Sequence, residues 1–180
     1  MEATIATLST AMKVEVSDSR LESLFDQHHE RLYGLARRLS TNVDDAKDLV
    51  QETFLRATQK LSSVPKDAVG EEAWLVRVLV NICRDRWRRA AVQRRFQPLQ
   101  LPALPSEEAA IVAKSTIWRA LQSLSPHRRA IMVMYELEDM PIPSIARTLS
   151  LASVTVRWHL SRGRKELARF IESKGDTHDK

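Results

Sequence analysis

Three prolines fall within eight residues, at Pro98, Pro102 and Pro105, in a chain of 180 residues that carries only four glycines. Proline removes a backbone donor and clashes with the preceding turn, so no helix runs through this stretch and an extended tether is favoured. The segment 93–106 therefore reads as a flexible linker between two blocks. The scarcity of glycine and of alternating β-branched runs marks the blocks themselves as helical. The expected fold class is all-α: two small helical domains, at 19–92 and 107–174, joined by a Pro-rich flexible linker, with a flexible leader at 1–18 and a flexible tail at 175–180. A hydrophobic content of 43% suffices for two small cores.

Block one carries three helical patterns. From Leu21 to Leu39 apolar residues recur at Leu21, Leu24/Phe25, Leu32, Leu35/Ala36 and Leu39, at helical spacing. Asn42 or Thr41 can cap a second helix reaching about Leu61, with Asp44 and Asp45 in the first turn, where the helix dipole favours negative charge. In it Ala46, Leu49, Val50, Phe54, Ala57 and Leu61 share a face, opposite Asp48, Gln51, Glu52, Leu55 and Gln59. That acidic, amide-bearing stripe fits a solvated face and equally a docking site for a basic partner, since an outward leucine among acids is open to contact. After the polar stretch Ser62–Gly70 a third helix spans Glu71 to about Ala90. Its apolar side holds Leu75, Val78, Leu79, Ile82 and Cys83. Along the other side Arg77, Asn81, Arg84 and Arg88 recur at i, i+4, i+7 and i+11, beside Trp74. Such a row can hold phosphates and offer a base both stacking and hydrogen bonds, whereas Trp74 fits core filling equally well.

Block two shows helical patterns at about Ala109–Leu124, Pro126–Glu136, Ile142–Leu149 and Ser153–Glu172, the second opened by Ser125 and Pro126. The last two, joined by a turn at Ser150-Leu151-Ala152, have the form of a helix-turn-helix that enters the DNA major groove. At about 100° per residue, Val156, Leu160, Gly163 and Leu167 fall on the packing side, and Val154, Trp158, Ser161, Arg162, Lys165 and Arg169 on the other. An amphipathic helix with a charged outer face is common in itself. Charge adds to the motif. The net charge is +5, and Arg84, Arg86, Arg88, Arg89, Arg94 and Arg95 crowd into twelve residues, which points to a nucleic-acid partner.

The chain offers no catalytic constellation and no glycine-rich phosphate loop, so neither an enzyme nor a cofactor is expected. Asp26, His28, His29 and Glu30 do not make a metal site, because adjacent histidines diverge by about 100° on a helix and no second cluster supports them. The single Cys83 cannot form an internal disulfide. No apolar run approaches the roughly 20 residues needed to cross a bilayer, so no membrane insertion is expected. Cytoplasmic location follows as the expectation.

Four segments together, Asp44–Ala57, Ala73–Asp85, Leu121–Ala130 and the helix-turn-helix, resemble the second and fourth conserved regions of the extracytoplasmic-function sigma factors of bacterial RNA polymerase. The likeness covers about Leu21–Arg169 in the right order and spacing. It implies a non-enzymatic transcription initiation factor whose partners are RNA polymerase core, promoter DNA and an inhibitory anti-sigma factor, which could hold it at the membrane. On this resemblance Asp48, Gln51, Glu52 and Leu55 dock on the clamp of the polymerase largest subunit, and block two meets the flap. Trp74, Arg77, Asn81, Arg84 and Arg88 fall on the helix that melts the start-proximal promoter element, with Asn81 at the family's base-contacting asparagine. Arg157, Trp158, Ser161, Arg162, Arg164 and Lys165 fall on the helix that reads the upstream element, Arg164 near phosphate. The linker would pass through the RNA-exit path.

Departures from the family pattern are also visible. Trp158 and His159 stand where small or basic residues are usual, Ala152 where a helix-starting serine is common, and Ser150 where a turn glycine is common. These place the start of the recognition helix at Ser153 as an alternative. Two rival classes remain: a stand-alone helix-turn-helix repressor would need only block two, and a sigma-mimicking protein that binds regulators but not DNA would have lost the Arg77/Asn81/Arg84/Arg88 row. That row is present.

Overall fold

The structure, a computed structural model, describes residues 2–96 and 116–175. Among them the chain forms seven α-helices and no strand: α1 (Glu2–Leu39), α2 (Val43–Gln59), α3 (Ala68–Phe96), α4 (Thr116–Ser123), α5 (Pro126–Glu136), α6 (Ile142–Leu149) and α7 (Ser153–Gly175), with a 3₁₀ turn at Leu61–Ser63. Helices α1, α2 and α3 pack on one another, and α7 packs against α4, α5 and α6.

Local chemistry sets most of the boundaries. Asn42 caps α2, its side-chain oxygen accepting the Asp45 N–H at 2.7 Å, while Thr41 Oγ1 and Asn42 Nδ2 hold the Asp45 carboxylate. Asp67 Oδ1 accepts the Gly70 N–H at 2.8 Å, so α3 starts at Ala68 rather than Glu71. The Asp67 cap was hidden by Gly70, which reads as a breaker but here lies within the first turn. Arg20 ties the loop before α3 to α1 by donating to the carbonyls of Val64 and Pro65 at 2.9 and 2.8 Å.

Two expectations about the ends of block one change. The leader expected to be flexible at 1–18 is helical from Glu2 and continuous with α1. No proline or glycine precedes Gly34, so nothing stops the helix even where apolar periodicity is weak. At the other end α3 continues through Phe96, which makes residues 93–96 helix rather than linker. Pro98 restricts the residue before it, and the helix stops just short of that point. The rest of the expected linker, the start of the helix expected from Ala109, and the tail from 176 lie outside the described residues.

The two blocks pack as one body. Buried side chains of both form a single hydrophobic cluster. Helix α5 lies between the blocks, contacting α1 and α3 on one side and α6 and α7 on the other. Five successive residues, Ala130 to Met134, are buried there. Five residues turn through more than a full circle, so α5 is covered all round, as a helix at the centre of a larger core is.

Candidate nucleic-acid interface

The helix-turn-helix is shaped by its backbone. Helix α6 ends at Ser150, which adopts the left-handed conformation (φ 53°), and Leu151 N–H returns to the Ala146 carbonyl at 2.8 Å. The Ala152 carbonyl then accepts from Thr155 and Val156, so α7 opens at Ser153. Where α7 crosses α5, a Cβ on Gly163 would lie 2.9 Å from Met132 Sδ. Glycine therefore lets the recognition helix approach closely.

The division of α7 into two sides matches the expected one. Val156, Leu160 and Gly163 are buried and Leu167 half-buried, while Val154, Arg157, Trp158, Ser161, Arg162, Arg164, Lys165 and Arg169 are exposed. Trp158 is 57% exposed, and the Arg128 guanidinium lies 5.7 Å from its ring centre. Arg162 donates to Glu166 at 3.2 Å, and Arg164 to Glu136 at 2.7 Å while lying over Tyr135. Exposed pairs of this kind are worth less than about 1 kcal/mol, so phosphate can displace the carboxylates at little cost. Arg157 and Lys165 have no carboxylate partner among the described residues. With Ser161 and Arg164 they line a groove beside Tyr135 and Ile142.

Behind that face His159 turns inward to His127 of α5, with ring centres 5.5 Å apart. Burial first, and then a positive neighbour, hold both imidazoles below their ordinary range: His127 is opposed by His159 and Arg84, His159 by Arg128. Both rings are thus kept neutral between α5 and α7.

The row on α3 is only partly open to solvent. Trp74 is half-buried against the core, and Asn81 is half-buried. Arg77 donates to the Thr148 carbonyl at 2.9 Å and the Arg147 carbonyl at 3.3 Å, at the C-terminus of α6. Arg84 and Arg88 are exposed, both near Asp85. The row therefore exists as a stripe, but its first arginine is seated on block two.

On α2, Asp48, Gln51 and Gln59 are exposed and Leu55 is 57% exposed. Glu52 differs from that stripe: it receives Arg86 of α3 at 2.7 Å and Arg56 at 2.8 Å. Burial raises the affinity of its carboxyl for a proton, but the hydrogen bond and charge of Arg86, with Arg56, outweigh it and hold the group below the usual carboxylate range. Thr53, unremarked in the sequence, is buried and donates to Leu49 O at 2.7 Å. Of the Leu24/Phe25 pair in the α1 repeat, Phe25 is 45% exposed and packs on Phe54 and His29, making an aromatic groove with Tyr33, Lys47 and Gln51 beside the α2 stripe. Leu24 takes the buried position.

Several residues that organise these faces carry no signal in the sequence. Glu138 sits on the turn after α5, where Asp139 adopts a left-handed conformation (φ 49°), and it receives Arg31 and Arg38 of α1. Arg129 is 4% exposed and donates to the Leu39 carbonyl of α1 at 2.7 Å. A pattern search assigns faces helix by helix and cannot pair residues about a hundred positions apart.

The chain matches the family model for sigma-70 region 2 over residues 24–92 and that for sigma-70 region 4 over residues 114–167. It is 34% identical over 158 residues to the ECF RNA polymerase sigma factor SigM of Mycobacterium tuberculosis, an alignment that takes in 83% of this chain and 76% of SigM. It is 31% identical over 164 residues to the ECF RNA polymerase sigma factor SigE of Mycolicibacterium smegmatis, covering 83% of this chain and 61% of that protein. Among solved structures it is similar to CnrH in complex with the cytosolic domain of CnrY, with a TM-score of 0.58, 26% identity, and coverage of 87% of this chain and 90% of that one. It also shares the fold of the sigma factor RpoE of Bartonella quintana in complex with the anti-sigma factor NepR, with a TM-score of 0.59, 21% identity, and coverage of 86% and 96%.

Proposed function

Because the chain belongs to the extracytoplasmic-function sigma factors of RNA polymerase, we propose that it directs core polymerase to particular promoters by reading the upstream element with α7 and melting the start-proximal element with α3. It is a transcription initiation factor, not an enzyme. The observation that carries this reading is the outward side of α7, where Arg157, Trp158, Ser161, Arg162, Arg164 and Lys165 are all exposed on the second helix of a helix-turn-helix. Arg162 and Trp158, one turn apart, take base edges and a thymine methyl; Arg157, Arg164 and Lys165 flank them and take phosphate. On α3, Trp74, Arg77, Asn81, Arg84 and Arg88 handle the melted strand, Asn81 offering both a donor and an acceptor to one base.

Docking on the polymerase clamp falls to Asp48, Gln51 and Leu55, with Glu52 at the edge of the contact and α3 support behind it. Block two meets the flap. The solved structures of RpoE with the anti-sigma factor NepR and of CnrH with the cytosolic domain of CnrY support an inhibitor of the same class here, one that would hold the chain at the membrane. The chain itself works in the cytoplasm.

The polymerase contact is tested by Asp48→Lys. Asp48 is exposed and makes no ion pair among the described residues, so reversing its charge leaves the fold intact. Glu52→Lys would instead break the pairs to Arg86 and Arg56 and confound folding with docking. Gel filtration with core polymerase is expected to show the wild-type chain co-eluting and Asp48→Lys eluting alone with an unchanged circular dichroism spectrum. Equal retention of both would return the α2 stripe to a solvated face.

A further inference from the structure

We propose that Arg128 of α5, which lies behind the DNA-facing side of α7, is a specificity-determining positioning residue: it holds Trp158 directly and Arg162 through Glu166, so that the two act as one fixed reading unit. The inference rests on the reading of α7 as the helix that meets the upstream element.

Two helices build the unit. Gly163 makes room for it, because a Cβ there would lie 3.3 Å from Arg128 Cγ, and without one the arginine stem runs against the α7 backbone. Past that point the guanidinium has two partners. Its Nη1 donates to Glu166 Oε2 at 2.5 Å, and its central carbon lies 5.7 Å from the centre of the Trp158 ring. The other carboxylate oxygen, Glu166 Oε1, accepts from Arg162 Nε at 3.2 Å. One carboxylate thus joins an arginine that is 15% exposed to one that is 53% exposed. Trp158 is also met by His159, the two rings lying at 74° with centres 4.9 Å apart.

The consequence is order on an exposed surface. A long side chain that samples several rotamers gives up affinity when a base contact fixes it. Glu166 and Arg162, one turn apart on the same helix, would order each other only weakly. Arg128 anchors the shared carboxylate from a sheltered position, where the pair is screened less by salt. Its planar guanidinium can pair with that carboxylate and lie over the indole at the same time, which a lysine ammonium would not reproduce. Stability does not account for the residue. Arg128 Nε is buried without a hydrogen-bond partner among the described residues, a cost that an apolar side chain of similar length removes. Arg128→Met leaves Glu166 still paired with Arg162, so no buried charge is stranded.

The test uses the full chain bound to core polymerase, on duplexes carrying the upstream element that the wild-type complex prefers and on single-base variants of it. Arg128→Met should lower discrimination about tenfold at the base pairs read by Trp158 and Arg162, within what a good base contact supplies. Melting temperature and the salt slope of binding should stay at the wild-type values, since Arg128 holds no phosphate. Glu166→Gln should weaken the same base pairs, and the double variant should lose no more than the larger single loss, because both residues act through one chain of contacts. In the free chain the order parameter of Arg162 Nε, from nitrogen relaxation, should fall in Arg128→Met. Unchanged discrimination, an unchanged order parameter, or a loss equal on every duplex overturns the positioning role, and additive losses overturn the link through Glu166. A wild-type complex that prefers no duplex would instead overturn the reading of α7, and the order parameter would still decide whether Arg128 holds Arg162.

Discussion

Ser150 shows how one residue can hold a motif at a local cost. It adopts φ 53° between α6 and α7, a conformation that strains residues carrying a Cβ and that glycine adopts freely. Ser150→Gly should therefore stabilise the chain by about 0.5–1 kcal/mol, since relief of strain exceeds the added freedom of the unfolded state. Urea denaturation would check it, and a lower midpoint would mean that the serine hydroxyl matters more than the backbone. On the DNA face the two central arginines should differ. Arg162→Ala should cost about 1–3 kcal/mol on the preferred upstream element and relax specificity at one position. Arg164→Ala should weaken all sequences alike and lower the salt slope by about 1. Salt-titrated binding to native and single-base-changed duplexes separates them; equal losses for Arg162→Ala on every duplex would make it a phosphate contact. These exposed residues were legible in the sequence because period and charge alone place them. Glu52 was not: its spacing puts it with Asp48 on the stripe, but its partner Arg86 comes from another helix. Nothing within α2 announces that pairing.

Helices were legible where a cap or a proline punctuates them. Pro126–Glu136 and Ile142–Leu149 stand at their expected limits, and Asn42 caps α2 as its side chain suggests. Legibility failed at α1 and α3, which run on because nothing stops them, and extension without a hydrophobic stripe leaves no periodic signal. The contact between α5 and α7 carries a pH dependence of its own. His127 and His159 are held neutral by burial, so the folded state binds fewer protons than the unfolded chain. Stability from this contact is complete above the unfolded value near 6.5 and is lost as pH falls through the lowered folded values. Melting temperature should drop between about pH 7 and pH 5, and replacing both histidines with glutamine should flatten that slope relative to the wild type. An identical slope in the variant would assign the acid sensitivity to other groups.

For the whole molecule, the division into two blocks was legible in the prolines, and the packing of one block on the other was not. The proline run says only that no helix connects them. What joins them is Glu138 on Arg31, Arg129 on an α1 carbonyl and Arg77 on two α6 carbonyls, contacts across 70 to 107 positions that no local pattern encodes. The body so formed presents the α7 face and the α2 stripe outward while holding part of the α3 row inward. Run-off transcription with core polymerase on a library of promoter sequences tests the proposed function most directly. The chain should yield transcripts from a restricted set sharing an upstream and a start-proximal element, and Asn81→Ala should reduce opening on that set. No transcript above core polymerase alone, from any promoter in the library, would contradict the account.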